Sequence, residues 1–273
     1  MTTTLRPDGP ELRAADGGRS RAYTVCVNSR PVGGVELRVD PKLGPSVGRI
    51  EALAVQEPDR RRGRGAVAAL AAEEVLRLWG CARVEASVPA EAEYALRLAV
   101  SLGYLERNRH MLKDLDAGPH PLPPGSVLRP LTEDEYEPWR AEEAETFTAL
   151  LVDCGIPRDE AEARQATAFA DVLPDGRDTP GTALLALDHD GVTVGRLWVR
   201  VGDRPWVFSV RVEAAHRGHG HGRTLMLGAE NTCRAAGATT LGLNVLTANT
   251  PALRLYESLG YRTTLRHFAK PLL

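Results

Sequence analysis

The stretch richest in usable chemistry is Val210-Arg-Val-Glu-Ala-Ala-His-Arg217-Gly-His-Gly220-His-Gly222-Arg-Thr-Leu225, where a strand-like run gives way to alternating glycines and then to a helix-forming segment. A turn of this kind suits phosphate. Glycines let main-chain N–H groups approach an anion closely, and a helix N-terminus adds unpaired donors and about half a positive charge. Arg217, Gly218, Gly220, Gly222 and Arg223 are the candidate phosphate-binding residues, the two arginines adding charge-assisted hydrogen bonds. Spacing narrows the motif. A Walker A loop ending at Gly222 needs Gly where Arg217 stands and Lys where Arg223 stands, and a dinucleotide fingerprint needs G-x-G-x-x-G where this chain runs G-x-G-x-G. What remains is R-x-x-G-x-G.

Three imidazoles, His216, His219 and His221, share the same turn as H-x-x-H-x-H. Two of them alternate with the glycines of the anion loop and no nearby Cys or matched acid completes a ligand set, so no metal is expected.

A second cluster follows the loop: Asn249-Thr-Pro-Ala252-Leu-Arg-Leu-Tyr256-Glu-Ser-Leu-Gly260-Tyr261. With Arg217-x-x-Gly220-x-Gly222 it resembles the GCN5-related N-acetyltransferase (GNAT) superfamily, whose R/Q-x-x-G-x-G/A loop cradles the pyrophosphate of acyl-coenzyme A and whose later signature reads N-x-x-A-x-x-x-Y-x-x-x-G-F/Y. The resemblance implies that Tyr256 serves as general acid beside the thioester sulfur and that Asn249 bonds the cofactor. It also implies that main-chain N–H groups around Val210 and Val212 hold the pantetheine and polarise the acyl carbonyl. The implied reaction moves an acetyl group from acetyl-CoA to a primary amine of a small molecule or peptide by direct attack. A non-catalytic acyl-CoA sensor or scaffold is the alternative. Relatives of this type often carry acids on the strand before the loop, where Ser209 and Arg211 stand here. The general base therefore stays open among Glu142, Glu145, Asp203 and a water chain.

The elements that must position these residues occur twice. Arg60, Gly63, Gly65, Gly80, Gly103, Tyr104, His110 and Lys113 recur at a constant spacing as Arg217, Gly220, Gly222, Gly237, Gly260, Tyr261, His267 and Lys270. Upstream, Val32-Gly-Gly-Val-Glu-Leu37 matches Val194-Gly-Arg-Leu-Trp-Val199. The Pro- and Gly-rich run Ala117 to Gly125 prevents helix and reads as a linker. The expected organisation is thus a degenerate N-terminal unit over 1–117, a linker over 118–125 and a C-terminal acetyltransferase unit over 126–273. The fold class is α/β: two tandem GNAT-like units, each a mixed central β-sheet flanked by α-helices.

The N-terminal unit is truncated. In the second half Val127 to Leu131 reads as a strand, Thr132-x-x-Glu135 as a capping box opening a helix toward Cys154, and Pro157 to Leu173 as another helix. The first half passes from Leu12 through a Gly17-Gly18 turn to a strand at Tyr23 to Val27, leaving no room for two helices. It has Ala92 in register with Asn249 and Ala99 with Tyr256, so catalysis is not expected of it.

In the second half the remaining elements are expected as strands at Ala183 to Asp188, Val192 to Val201 and Trp206 to Glu213, a helix from Gly220 to Ala236, a strand from Thr240 to Val245, a helix from Pro251 to Leu259 and a strand from Tyr261 to Lys270.

Composition bounds the partners. The 273 residues carry 34 Lys plus Arg against 36 Asp plus Glu, a net charge of -2 that argues against nucleic acid as partner. The four widely spaced cysteines, Cys26, Cys81, Cys154 and Cys233, make no C-x-x-C pair and fit reduced cytoplasmic thiols. Neither a membrane-spanning run nor a signal h-region is seen, and a homodimer is the one assembly entertained.

Overall fold

The structure, a computed structural model, describes residues 3–40, 46–115, 118–153 and 156–272; Cys154, Lys42 and Ala117 lie outside them. The chain forms two compact units whose segments alternate along the sequence. Unit 1 comprises Met1–His110, Val245–Asn249 and Thr263–Leu273, and unit 2 comprises Met111–Asn244 and Thr250–Arg262.

Unit 1 opens with β1 (Thr3–Arg13), β2 (Arg19–Val27), β3 (Arg30–Val39) and β4 (Val47–Val55). These strands pair antiparallel in sequence order. Helix α1 (Arg64–Leu78) crosses over to β5 (Arg83–Pro89), which lies parallel to β4, as a right-twisted sheet requires of a strand, helix, strand connection. Helix α2 (Glu93–Ser101) follows, and β6 (Leu105–Asp114) begins in this unit. On its far side β5 pairs antiparallel with residues 265–271 of the last strand, β12 (Arg262–Pro271).

The apolar stripe Ala68, Ala72 and Leu76 of α1 sits at helical spacing and packs with Val25, Leu37 and Val84. A side chain at Gly48 would strike Leu76 at 2.6 Å, which explains the glycine there. Strand β1 is far longer than its sequence suggests. Pro7, Asp8, Gly9 and Pro10 break the alternation, yet this is an edge strand with a bulge between Asp8 and Leu12, where prolines cost no ladder bond.

Unit 2 opens with the end of β6 and continues through β7 (Ser126–Pro130), α3 (Glu133–Asp153), α4 (Arg158–Val172), β8 (Thr182–His189), β9 (Val192–Arg200), β10 (Trp206–Val212), α5 (His221–Ala235) and β11 (Thr240–Leu246). Helix α6 (Thr250–Ser258) completes it. Strands β7 to β10 pair antiparallel in order and β10 pairs parallel with β11.

The Glu135 side-chain half of the capping box forms: the Thr132 N–H donates to Glu135 at 2.9 Å and the Thr132 hydroxyl donates to it at 3.1 Å. Arg129 grips the same carboxylate, and these bonds hold the Glu135 carboxyl down to about 2. Helices α3 and α4 bury an aromatic cluster against the sheet. Trp139 meets Trp198 edge-on at 5.5 Å, and Phe169 and Phe208 lie 5.4 and 4.6 Å from Trp198.

Each unit also buries one carboxylate against a lysine of a final strand. In unit 1 Glu73, 1% exposed, receives Lys270 at 2.7 Å; in unit 2 Glu230, fully buried, receives Lys113 at 2.8 Å. Glu73 and Glu230 are repeat equivalents, as are Lys113 and Lys270.

Candidate acyl-donor site

Strands β10 and β11 pair only at Trp206↔Gly242 and Val207↔Leu243 among the described residues. A bulge in β10 between Val207 and Ser209 then turns the strand, and residues 209–212 stay hydrogen-bonded to β9 alone. Their other edge, including the main chain of Val210 and Val212, takes no ladder pairing from β11 among the described residues. The same bulge recurs in unit 1, where Glu51 is skipped between Leu37↔Ile50 and Glu36↔Ala52.

The glycine loop follows directly. Gly218 and Gly220 sit at φ 83 and 88, a left-handed backbone that a side chain would strain, and Gly220 is the N-cap of α5. No atom lies within 4 Å of where a Gly220 side chain would begin, so the approach to the helix start is open. Gly222 has ordinary φ and is glycine for another reason: a Cβ there would press on Leu255 at 3.3 Å. Among the described residues the N–H groups of 218–222 take no main-chain acceptor, while those of Arg223 and Thr224 bond the Gly220 carbonyl.

Arg217 is exposed, and its Nε donates to the Val212 carbonyl at 3.2 Å, bracing the strand end against the loop. Arg223 is also exposed and donates to the Ser258 hydroxyl of α6 at 2.5 Å. The open amides, left-handed glycines and two exposed guanidiniums fit a diphosphate.

The histidines gather beside this loop. His221 is buried, with the rings of His189, His216 and His219 at 4.9, 6.4 and 6.2 Å. Burial first, then its imidazole neighbours, lowers the His221 pKa and keeps it neutral. Among the described residues no three His, Cys, Asp or Glu are placed to hold a metal ion. His189, which sequence reading passed over, comes from the end of β8.

Tyr256 is buried on α6, its ring 6.0 Å from Tyr261, and burial raises its pKa so that the hydroxyl keeps its proton. Gly260 closes α6 at φ 88, and the Tyr261 N–H returns to the Tyr256 carbonyl at 3.0 Å. Asn249 is exposed, directly precedes α6 and falls in the Val245–Asn249 segment of unit 1.

Of the base candidates, Asp203 is exposed in the β9–β10 turn. Glu145 is exposed and paired with Arg158, and Glu142 is exposed and paired with Arg211. Sequence reading missed Glu143 in that role. Its carboxylate is buried and accepts a hydrogen bond from the Ser209 hydroxyl at 2.9 Å; desolvation raises its pKa against the opposing pull of Ser209 and Arg211. A signal for it existed, because Trp139, Glu143 and Phe147 share one face of α3 at a spacing of four.

The equivalent loop of unit 1 keeps the geometry and changes the charge. Gly63, N-cap of α1, has φ 73, and Arg60 bonds the Val55 carbonyl at 2.8 Å as Arg217 does Val212. Asp59 stands in register with His216 but is 3% exposed and paired with Arg30 and Arg64. Arg61 is drawn onto Tyr94 by a 2.9 Å hydrogen bond. Three of the loop's basic groups thus already have partners.

Comparison with known proteins finds the repeat as well. The model of the acetyltransferase (GNAT) family matches residues 3–104 and again 131–261. A mycothiol acetyltransferase of Clavibacter michiganensis is 28% identical over 269 residues, covering 93% of this chain and 78% of that protein. A mycothiol acetyltransferase of Thermomonospora curvata is 31% identical over 258 residues, covering 89% and 80%. Among solved structures, a GCN5-related N-acetyltransferase from Sphaerobacter thermophilus superposes with a TM-score of 0.61 at 18% identity, over 92% of this chain and 80% of that one. A tandem GNAT protein from the clavulanic acid biosynthesis pathway gives 0.51 at 23% identity, over 96% and 85%.

Proposed function

The chain belongs to the GNAT acetyltransferase family, and on that footing we propose that it transfers an acetyl group from acetyl-CoA to a primary amine of a small molecule, with the C-terminal repeat carrying the chemistry. The observation that carries this reading is the parting of β10 from β11 after Val207, which leads an open strand edge into a loop of unengaged amides. Bound acetyl-CoA supplies the activated acyl carbon. The chain's part is to hold and polarise it: loop amides, Arg217 and Arg223 take the diphosphate, and main-chain N–H groups near Val210 and Val212 stabilise charge on the carbonyl oxygen. Asn249 is proposed as a further cofactor ligand. The Tyr256 hydroxyl, protonated at any working pH, gives its proton to the leaving sulfur. Two relatives bearing the name mycothiol acetyltransferase favour a small-molecule acceptor over a peptide.

The test is thiol release from acetyl-CoA across a panel of amines, with Tyr256→Phe expected to lower turnover roughly 100-fold. Coenzyme binding without turnover on a broad panel would favour the alternative, a non-catalytic acyl-CoA sensor.

A further inference from the structure

We propose that Glu143 of α3 is the general base that takes the proton of the acceptor amine, supplying from a helix the carboxylate that strand β10 lacks. The proposal rests on the acetyl-transfer reading above and adds the residue that reading leaves open.

Two strand positions suited to an acid, Ser209 and Arg211, are instead the two that reach α3. The Ser209 hydroxyl donates to Glu143 Oε1 at 2.9 Å, and Arg211 Nε lies 3.4 Å from the same oxygen. Arg211 is itself held by Glu142 and by the Thr146 hydroxyl at 2.7 Å, so its guanidinium is fixed at the edge of the Glu143 carboxylate. Ser209 is the first paired residue after the bulge, where β10 leaves β11. The contact therefore fixes a carboxylate where the strands part.

The Ser209 and Arg211 contacts both fall on Oε1, in a side chain that is only 9% exposed. A carboxylate so far withdrawn from water is disfavoured in its charged form and takes up a proton more readily. The charged groups facing it are Arg211 from β10 and Glu142 from its own helix, and their opposing influences leave burial dominant, which makes Glu143 a stronger base than an ordinary glutamate.

The step balances. The Glu143 carboxylate takes one proton from the acceptor ammonium, and the freed nitrogen pair forms the C–N bond to the acetyl carbon as the C–S bond breaks. Tyr256 protonates the departing sulfur and is reprotonated by the second proton leaving nitrogen. Glu143 then releases its proton to solvent.

The experiment compares wild type, Glu143→Gln and Ser209→Ala in three measurements: the pH profile of kcat/KM, coenzyme A affinity by calorimetry, and carboxyl titration by NMR on 13C-glutamate-labelled protein. Glu143→Gln is expected to lose at least about 100-fold in turnover and the acidic limb of the profile, with coenzyme A affinity within about twofold of wild type. It should also remove one carboxyl that titrates above the usual glutamate range. Ser209→Ala, which keeps the carboxylate and loses its hydrogen-bond donor, should move that carboxyl and the acidic limb upward together. Turnover of Glu143→Gln near wild type with an unchanged acidic limb, or an unmoved limb in Ser209→Ala, overturns the assignment while acetyl transfer stands. Wild type that binds coenzyme A yet acetylates no amine overturns the acetyl-transfer reading, and this assignment with it.

Discussion

Replacing Lys270 by Met tests how unit 1 is held together. Lys270 Nζ lies 3.0 and 2.7 Å from the two oxygens of Glu73, whose side chain is 1% exposed, and Arg77 at 3.9 Å is the other cation near it. Breaking a buried pair on one side typically costs 3–5 kcal/mol, because the remaining charge stays desolvated. The Arg77 guanidinium keeps a part of the attraction, so the expected loss is about 3 kcal/mol, at the low end of that range. Adding Glu73→Gln should restore most of it, since a neutral amide needs no counter-charge. Urea denaturation reads all three proteins. A loss below about 1 kcal/mol, the range of an exposed ion pair, or a double variant as unstable as the single one, would refute the reasoning.

Stability should also fall with acid through His267. Burial first, then His110 and Arg49, lower its pKa from 6.5 to about 4. The unfolded chain therefore binds the proton first, and this contribution is present above about 6.5 and lost as pH falls toward 4. The full shift corresponds to about 3.4 kcal/mol, which partial solvent exposure reduces to about 2, and His267→Asn should flatten the acid side of a stability profile. In the loop, Gly220→Ala forces a side chain into left-handed backbone at a cost of about 1 kcal/mol and should weaken coenzyme A binding roughly fivefold by calorimetry. Gly222→Ala needs only Leu255 to yield and should weaken it less; the reverse order would mean that the loop amides are not the anion site.

The elements of the second repeat were readable because each has its own local signal. Thr132 and Glu135 mark the start of α3, Gly260 the end of α6, and alternation marks β8 to β10. The paired loops were readable because Gly63 and Gly220 answer the same backbone demand. What stayed hidden is non-local. Nothing in the register of the repeat tells that β12 pairs with β5, because Lys113 and Lys270 look identical whichever glutamate each one meets. Glu143 was obscured by its neighbours: in Glu142-Glu143-Ala144-Glu145 a solvated face is the natural reading, and only the buried stripe through Trp139 turns one of the three inward. Strand β1 was hidden by prolines that an edge position tolerates.

The truncation of the first repeat is written into its sheet as well as into its missing helices. Strand pairing sets Glu36 opposite Ala22 where the second repeat sets Trp198 opposite Leu184, and the bulge residue is Glu51 in one and Phe208 in the other. Trp198, Leu184 and Phe208 are the residues on which α3 and α4 rest, whereas Glu36 and Glu51 are exposed and line an open groove with Arg21 and Arg38. This face of the sheet is polar at the positions where the second repeat packs aromatic side chains under α3 and α4. Glu36→Trp with Glu51→Phe should therefore create an apolar patch with nothing to cover it, since each aromatic brings 150–250 Å² of surface. The double variant should bind a hydrophobic dye and self-associate in sedimentation while its unfolding midpoint stays within about 3 °C of wild type. If it sediments as wild type does and stays dye-silent, that face is covered in solution and its polarity has another cause.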